Sequence, residues 1–302
     1  MITVFTPTYN RAYTLQRLYD SLCLQTSKNF EWVIVDDGST DDTKSLVEAF
    51  MNENKINIRY FYQDNAGKPS AHNRGVREAK GELFTCVDSD DFLTIDAVKL
   101  IEDNWKSINN NSCIGIVAFR KHIDELPITR IKDREIQYST LHKLYKKHGM
   151  SGDTMLIYRT DIIKQFEFPI ISGEKFIPEG YLYNKLDQVG EIYILRKGIY
   201  ICEYLEDGYT KNVSKLIFNN YKGYVLHINA RIKSVDSAFE KILDSIRYDS
   251  VMIAHHESKI IKLSEVPFLA LIGYIPGLII AKKRYGTLMK RSYYVLRRRN
   301  NG

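Results

Sequence analysis

Val87-Asp88-Ser89-Asp90-Asp91-Phe92 places three carboxylates within four positions, directly after the apolar run Leu83-Phe84-Thr85-Cys86. A buried strand has to end before that much charge, because an unpaired buried carboxylate is costly. Carboxylates gathered where a strand leaves its sheet can hold a hard divalent cation, which takes oxygen ligands. The same residues also read as a strand-to-helix turn in which Asp88 or Asp91 caps the next helix. The stretch by itself leaves both readings open.

Its surroundings alternate strand and helix signals. Ile2–Thr6, Phe30–Val35, Ile56–Tyr62, Leu83–Val87 and Ile114–Phe119 are β-branched or aromatic runs. Between them, segments starting near Thr14, Thr43, Ser70 and Ile95 carry helical periodicity, with Leu15, Leu18, Tyr19 and Leu22 on one face of the first. Strands separated by helices of this length predict an α/β fold with a mostly parallel sheet and right-handed crossovers. Ligands of such sheets sit at the carboxyl ends of the strands, where Thr6, Asp36, Asp64 and Asp88 all fall. Beyond Arg120 the pattern loosens. Thr154–Tyr158 and Ile199–Tyr204 read as strands, Asp161–Phe166 and Gly180–Leu186 as short helices, and everything from Val213 onward as helix.

Two further motifs carry chemistry. In Asp36-Asp37-Gly38-Ser39 a carboxylate at a strand end can accept from a base N–H or a ribose hydroxyl, and Gly38 permits close backbone approach. An Asx turn with a helix cap reads equally from these residues. Asn65 to Arg74 joins a glycine turn to a helix start, with Lys68, His72 and Arg74 as cationic side chains. Helix N-terminal amides beside Lys or Arg suit a diphosphate, although Lys68 could equally mark a solvated helix start. The spacing GxxxxGK[ST] is absent, which excludes an ordinary P-loop ATPase.

Charge is unevenly placed. The net charge is +6, yet Val266 to Gly302 holds eight Lys or Arg and no acid, leaving −2 for Met1–Glu265. The basic character belongs to the tail, which argues against a nucleic-acid-binding body. Val266–Ala281 is a 16-residue uncharged run followed at once by cations. It falls short of the ~20 residues that span a bilayer. An apolar wedge beside cations fits a monotopic anchor on an anionic cytoplasmic leaflet; a helix covering the core or making a dimer contact is the other reading. Four scattered cysteines without CxxC spacing read as reduced core residues. The first residues, MITVFTPTYNR, read as a strand and not a signal peptide, so a cytoplasmic location is expected, peripheral on the inner face of the membrane.

Taken in order, Thr6-Pro7-Thr8-Tyr9-Asn10-Arg11, Val35 to Asp41, Asn65-x-Gly67 with Ala71-x-Asn73-x-Gly75, Ala79-x-Gly81-Glu82 and Asp88-Ser89-Asp90-Asp91 resemble the family 2 inverting glycosyltransferases of GT-A fold. The resemblance spans roughly the first hundred residues. It implies a GT-A catalytic domain, placed over residues 1–210 (donor half 1–120, acceptor half 121–210); the residue pattern beyond it gives a helical region over 211–302 with a membrane-associating tail from 266. It also implies a nucleotide-sugar donor, commonly UDP-linked, with Mn²⁺ or Mg²⁺ on the diphosphate. Thr6, Pro7, Tyr9 and Arg11 would line the nucleotide pocket and Asp36 would hold the base. Asp37, Asn65, Gly67, Lys68, Asn73, Arg74 and Ser89 would complete the donor site. Asp90 would be the principal metal ligand, with Asp88 on ribose or metal. His72 stands where many relatives carry Arg, leaving Lys68 or Arg74 to supply that charge.

An inverting reaction needs a carboxylate to take the acceptor hydroxyl's proton. Relatives carry a Glu-Asp pair opening a helix in the second half; here Pro178-Glu179-Gly180 occupies that place, and Glu179 matches the second acid. Glu179 is the expected base, with Asp153 and Glu174 as alternatives and Asp153 also suited to positioning the acceptor. At Cys202 to Thr210, where relatives often carry Arg-x-His, no His is present. His255-His256 reads as an exposed surface pair. The expected activity is transfer of a sugar to a glycan or polyprenyl-linked glycan acceptor in capsule or cell-wall synthesis, by a homo-oligomer or with a partner glycosyltransferase. The competing readings are a donor-binding but inactive subunit of a transferase complex and a sugar-nucleotide nucleotidyltransferase.

Overall fold

The computed structural model describes residues 1–202 and 213–299, with side chains described up to 289. The sequence motif at 203–210 therefore lies outside the described residues. The chain divides into two compact units, one of residues 1–169 with 186–205 and the other of 170–185 with 206–302.

The first unit is a layered α/β structure. Its elements run β1 (Ile2–Thr8), α1 (Ala12–Cys23), β2 (Phe30–Asp36), α2 (Thr43–Glu53), β3 (Ile58–Tyr62), α3 (Lys68–Glu78), β4 (Leu83–Cys86), β5 (Phe92–Leu93), α4 (Ala97–Ser107), β6 (Cys113–His122), β7 (Tyr138–Ser139), α5 (Leu141–Lys146), β8 (Thr154–Arg159) and α6 (Thr160–Ile163). After α7 (Gly180–Leu186) the chain adds β9 (Glu191–Cys202). One sheet takes the order β3-β2-β1-β4-β8-β6-β9-β5, with β7 also on β9. The half β3-β2-β1-β4 is parallel throughout. β8 then joins β4 and β6 antiparallel, and β6 runs parallel to β9. β1 and β2 are buried on both faces, which is why they read as continuous apolar runs and not alternations.

The core beneath this sheet is aromatic as well as aliphatic. Trp32, Tyr19 and Phe50 stack on one another, and the Trp32 indole N–H donates to Thr6 Oγ1 at 3.0 Å. At the edge away from the motifs, buried Glu31 accepts from Thr3 Oγ1 and Lys80 N, both at 2.7 Å, and pairs with Arg59 at 3.1 Å. A buried carboxylate survives there because its lone pairs are filled. All four cysteines are free thiols, as their spacing predicts.

The second unit is helical. Besides α7 it contains α8 (Val213–Asn219), α9 (Tyr221–Ser234), α10 (Ala238–Ala254), α11 (Ile260–Leu263) and α12 (Pro267–Arg299). Ile228, Ile232, Tyr248, Val251, Met252, Ala281 and Tyr285 form its core. Buried Asp244 is held between Arg231 at 2.8 Å and Arg247 at 2.7 Å. His256 is exposed as expected, but His255 is not: its ring stacks on Tyr221 with centroids 3.9 Å apart, and burial lowers its pKa. Among the described residues no helix is long and apolar enough to cross a membrane.

Candidate active site

The strand ends of the parallel half carry the polar motifs, and side chains staple those ends together. Asn10, at a left-handed φ of 52°, takes the amide of Thr40 on its side-chain oxygen at 2.8 Å. Its own amide donates to Ser39 Oγ at 2.9 Å, and Asp41 receives the Ala12 amide at 3.1 Å. The turn after β1 and the turn after β2 thus hold each other. Asp36 is fully buried, with its carboxylate accepting from Ser39 N at 2.7 Å and Tyr60 Oη at 2.6 Å. Those bonds give the Asx-turn reading of Asp36 its physical content.

Asp37 works across the next loop. Its oxygens take the amides of Ala66 at 3.0 Å and Gly67 at 2.7 Å, and Gln63 Nε2 at 2.8 Å. This fixes the loop that opens α3, where Gly67 has φ 91°, a conformation suited to glycine. From the first turn of α3, Lys68 Nζ reaches Asp88 Oδ1 at 2.7 Å. Gly38, at φ 87°, lies against Asn65: a Cβ there would sit 2.8 Å from the Asn65 amide nitrogen.

The Asp88–Asp91 segment follows β4, and its carboxylates differ. Asp91 is buried and accepts from Tyr200 Oη at 2.8 Å, with Arg120 at 3.9 Å. Burial, then the charge of Asp88, pushes its pKa up to about 7. The same Tyr200 hydroxyl accepts the Asp88 amide at 3.1 Å, and the Arg120 guanidinium lies 4.0 Å from the Tyr200 ring centre. Asp90 is half-buried; burial and the neighbouring charge of Asp88 raise its pKa, while Arg11 and Lys68 oppose the rise. Arg17 donates to the Asp90 carbonyl at 2.5 Å and stacks over Phe92, 4.8 Å from its centre.

Sequence-derived residues thus separate by environment. Lys68, Asp88, Asp90 and Arg11 share one electrostatic neighbourhood, with Asp37 and Gly67 shaping its rim. Tyr9 is exposed beside them in sequence, and Pro7 and Ser89 are half-buried and buried respectively. Thr6 turns its hydroxyl into the core toward Trp32. Asn73 is buried and makes two bonds to the Phe168 backbone, at 2.8 Å and 2.9 Å. His72 packs edge-on against Phe5, Phe84 and Phe168, so it belongs to the core aromatic cluster. Arg74 donates to the Tyr62 carbonyl at 2.5 Å and covers Phe61. Asp153 is exposed, on the first unit, and its carbonyl accepts from Thr129 Oγ1.

The other acids lie in the second unit. Glu179 is exposed at the start of α7 and receives the Tyr183 hydroxyl at 3.2 Å. Glu174 is engaged at the start of α9, accepting the amides of Lys222 at 3.0 Å and Gly223 at 2.8 Å. Arg17, Arg120 and Tyr200 carry no motif signal. Tyr200 meets Arg120 only through the β6–β9 register, eighty positions away in sequence.

A divalent cation can be tested against this donor set. Asp88 and Asp90 offer hard carboxylate oxygens; burial first, then the charge of Asp88, raises the Asp90 pKa, and a cation would offset the second of these. Among the described residues no group of three or more His, Cys, Asp or Glu could share one ion. The set fits a cation held by two carboxylates, with further oxygens from a bound diphosphate and water.

Comparison with known proteins agrees with this architecture. The model of the family described as glycosyl transferase family 2 matches residues 3–166. Glycosyltransferase GlyA of Streptococcus pneumoniae serotype 4 is 31% identical over 217 residues, covering 66% of this chain and 30% of that protein. Chondroitin synthase of Escherichia coli is 36% identical over 115 residues, covering 38% of this chain and 16% of that protein. The chain therefore spans less than a third of the length of these relatives. Among solved structures, residues 1–349 of Staphylococcus aureus TarS in complex with UDP-GlcNAc superpose with a TM-score of 0.60 at 20% identity, over 95% of this chain and 91% of that one. The mannosyltransferase PcManGT of Pyrobaculum calidifontis, in complex with GDP-Man and Mn²⁺, gives a TM-score of 0.54 at 16% identity, over 98% of this chain and 80% of that one. At these identities the structural likeness speaks to fold, which is GT-A.

Proposed function

The chain belongs to glycosyl transferase family 2, and we propose that it moves a hexosyl or hexosaminyl group from a nucleotide-sugar donor, a UDP-sugar, to a glycan or lipid-linked glycan acceptor with inversion at the anomeric carbon. The observation that carries this reading is the Lys68–Asp88 pair at 2.7 Å beside Asp90, at the carboxyl ends of β1 and β4 and the start of α3. A cation and amides there suit a diphosphate, and the paired carboxylates suit its metal. Tyr9, Pro7 and Arg11 would contact the nucleoside, within a pocket that Asp36, Asp37, Asn65 and Gly67 shape. Asp36, expected to hold the base, is fully buried with its carboxylate bonded to Ser39 and Tyr60, so its part would be to fix the turn and not to touch the base. Lys68 would exchange Asp88 for a donor phosphate oxygen; Arg74, expected as an alternative cation, is instead spent on the Tyr62 carbonyl and the Phe61 ring.

Asp90 and Asp88 would hold Mn²⁺ or Mg²⁺, which stabilises negative charge on the departing diphosphate. The acceptor hydroxyl oxygen forms its bond to the anomeric carbon as the bond from that carbon to the diphosphate oxygen breaks. The electron pair leaves with the nucleoside diphosphate, and the hydroxyl proton passes to a carboxylate. We assign that carboxylate to Glu179 from its sequence place after Pro178, with Asp153 positioning the acceptor; the bonds of Glu174 to α9 make it a helix partner. The likeness to chondroitin synthase supports a polysaccharide product, and a lipid-linked acceptor would place the chain on the inner face of the membrane.

The test is release of nucleoside diphosphate from a panel of nucleotide sugars, with and without Mn²⁺ or Mg²⁺. The expected result is metal-dependent turnover of a UDP-sugar that Asp90→Ala abolishes. Tight UDP binding without turnover of any donor would instead identify a donor-binding, inactive subunit.

A further inference from the structure

The helix α12 is amphipathic in an inverted sense. In its first half the buried residues are the small ones, Ala270, Gly273, Gly277 and Ala281, which recur every three or four positions; the next buried residue is Tyr285. The glycines lie against α10, where a Cβ on Gly273 would sit 2.4 Å from an Asp249 carboxylate oxygen and one on Gly277 2.7 Å from the Asp249 Cβ. The large apolar side chains point the other way. Phe268 and Ile275 are 72% and 71% exposed, and Leu271, Ile272 and Ile279 are 57%, 48% and 63% exposed. Their spacings of three and four residues put them on one face.

A helix of a water-soluble surface normally turns its large apolar stripe to the core and its polar residues to solvent. Here the first half of α12 meets the core through glycine and alanine, with Leu278 and, further along, Tyr285 adding large side chains to that face, so the five exposed apolar side chains are surplus to folding. Contiguous exposed apolar surface of this kind marks a site of interaction. The same face changes character one turn later. Lys282 and Lys283 follow Ile279 by three and four residues, both exposed, and no acid occurs between Val266 and Gly302.

We infer that this outward face is a docking surface for an anionic lipid bilayer, lying along the membrane with its apolar row in the headgroup–acyl boundary and Lys282 and Lys283 against lipid phosphates. The inference deepens the membrane-side placement proposed above and rests on it. Charge selects the occupant. A second copy pairing through this face would bring the same lysines and no carboxylate from its own α12 to meet them, whereas an anionic leaflet neutralises both. The first half of α12 would insert and the lysines would set lipid preference, as in interfacial helices.

The experiment is co-sedimentation of the full chain with vesicles of phosphatidylcholine alone or mixed equally with phosphatidylglycerol. Wild-type protein is expected to partition onto the anionic vesicles. Phe268→Ser with Ile275→Ser should lower that partition by about a hundredfold, roughly tenfold per inserted side chain. Lys282→Gln with Lys283→Gln should lower it about 30-fold and erase the preference for phosphatidylglycerol. Both double variants alter exposed positions and should keep the wild-type circular dichroism and thermal midpoint. Wild-type binding that both variants retain would overturn this face as the docking element while leaving membrane placement standing. No wild-type binding to either vesicle would overturn both. A wild-type dimer in sedimentation equilibrium that Phe268→Ser with Ile275→Ser converts to monomer, without vesicle binding, would assign the face to a second copy.

Discussion

Replacing Asp249 by Asn should stabilise the helical unit above neutral pH and leave it almost unchanged near pH 4. Asp249 sits on α10 with no exposed surface, and neither carboxylate oxygen has a hydrogen-bond partner among the described residues. Opposite it lie Gly273 and Gly277 of α12, which offer it no side chain. Burial alone pushes its pKa from 3.8 up to about 7. Between those values the folded chain holds a proton that the unfolded chain has lost, so stability falls as pH rises. The contribution is fully present below about pH 4, declines by ~1.4 kcal/mol per unit, and is gone above about pH 7. The whole loss has a ceiling of about 4 kcal/mol, three units at that slope. Asn removes the ionisation but, like the protonated acid, leaves a buried polar group without a bond, a cost of ~1–3 kcal/mol that largely cancels at low pH. The expected gain for Asp249→Asn is therefore below about 1 kcal/mol at pH 4 and about 2–4 kcal/mol at pH 8.5. A chain of two units need not unfold in one step. The measurement is therefore amide hydrogen exchange of α10 and α12 in rising urea, corrected for intrinsic rates at each pH. A difference between variant and wild type that is the same at both pH values would refute the reasoning, as would a wild type that gains stability with pH relative to the variant.

The remaining expectations divide between stability and chemistry. Glu31→Ala strips Thr3, Lys80 and Arg59 of their shared buried acceptor and should cost about 3–5 kcal/mol in urea unfolding of the sheet unit. Gly75→Ala would set a Cβ 2.3 Å from the buried Phe5 ring and should cost about 1–3 kcal/mol by overpacking, read as a lowered Tm. Lys68→Ala should raise the KM for donor more than it lowers kcat, because the lysine is assigned to phosphate binding; an unchanged KM would remove it from the site. Glu179→Gln should lower kcat by on the order of 10²–10⁴-fold with donor affinity kept, and wild-type rates would move proton removal to Asp153. Asp91→Ala should cost about 1–3 kcal/mol of stability by leaving the buried Tyr200 hydroxyl without its acceptor, while Asp91→Asn, which still accepts that bond, should fold normally.

Sequence legibility followed the range over which the physics acts. β1 and β2 were readable because burial on both faces writes itself as a continuous apolar run, and the end of β2 because charge terminates it; the partly buried β3 was readable from its aromatic residues. β9 was less so: its reading began at Ile199, whereas the strand begins at Glu191. Arg196-Lys197-Gly198 looks like a break in sequence, but in the sheet it is a bulge, the partner of Ala118 being Leu195 and that of Phe119 being Gly198. The two-residue strands β5 and β7 are too short to carry a period. The antiparallel insertion of β8 between β4 and β6 is a choice of partner that no local pattern encodes. Within the site, Asp88, Asp90 and Lys68 were legible as a motif and a helix start. Tyr200 and Arg120 were not, since each is a lone residue whose meaning arises only where β6 and β9 pair. His72 shows the reverse: its place in a motif suggests a phosphate, and three surrounding aromatic rings make it a core residue.

The three carboxylates of one short motif are separated by the groups that reach them from elsewhere in the fold. Asp91 is taken by Tyr200 from β9, which holds the turn against the sheet and places Asp88 through a second bond from its amide. Asp88 in turn faces Lys68 from α3, a contact that a donor phosphate could exchange without exposing either charge to an apolar surface. Asp90 is held by its backbone, through Arg17, while its half-buried carboxylate feels the charge of Asp88. The helix-cap reading of the motif does not hold: the element that follows is the strand β5, and the Asp91 carboxylate accepts from Tyr200. Burying Asp91 in that bond fixes the turn and leaves Asp88 and Asp90 as the two carboxylates that the proposed function assigns to a cation.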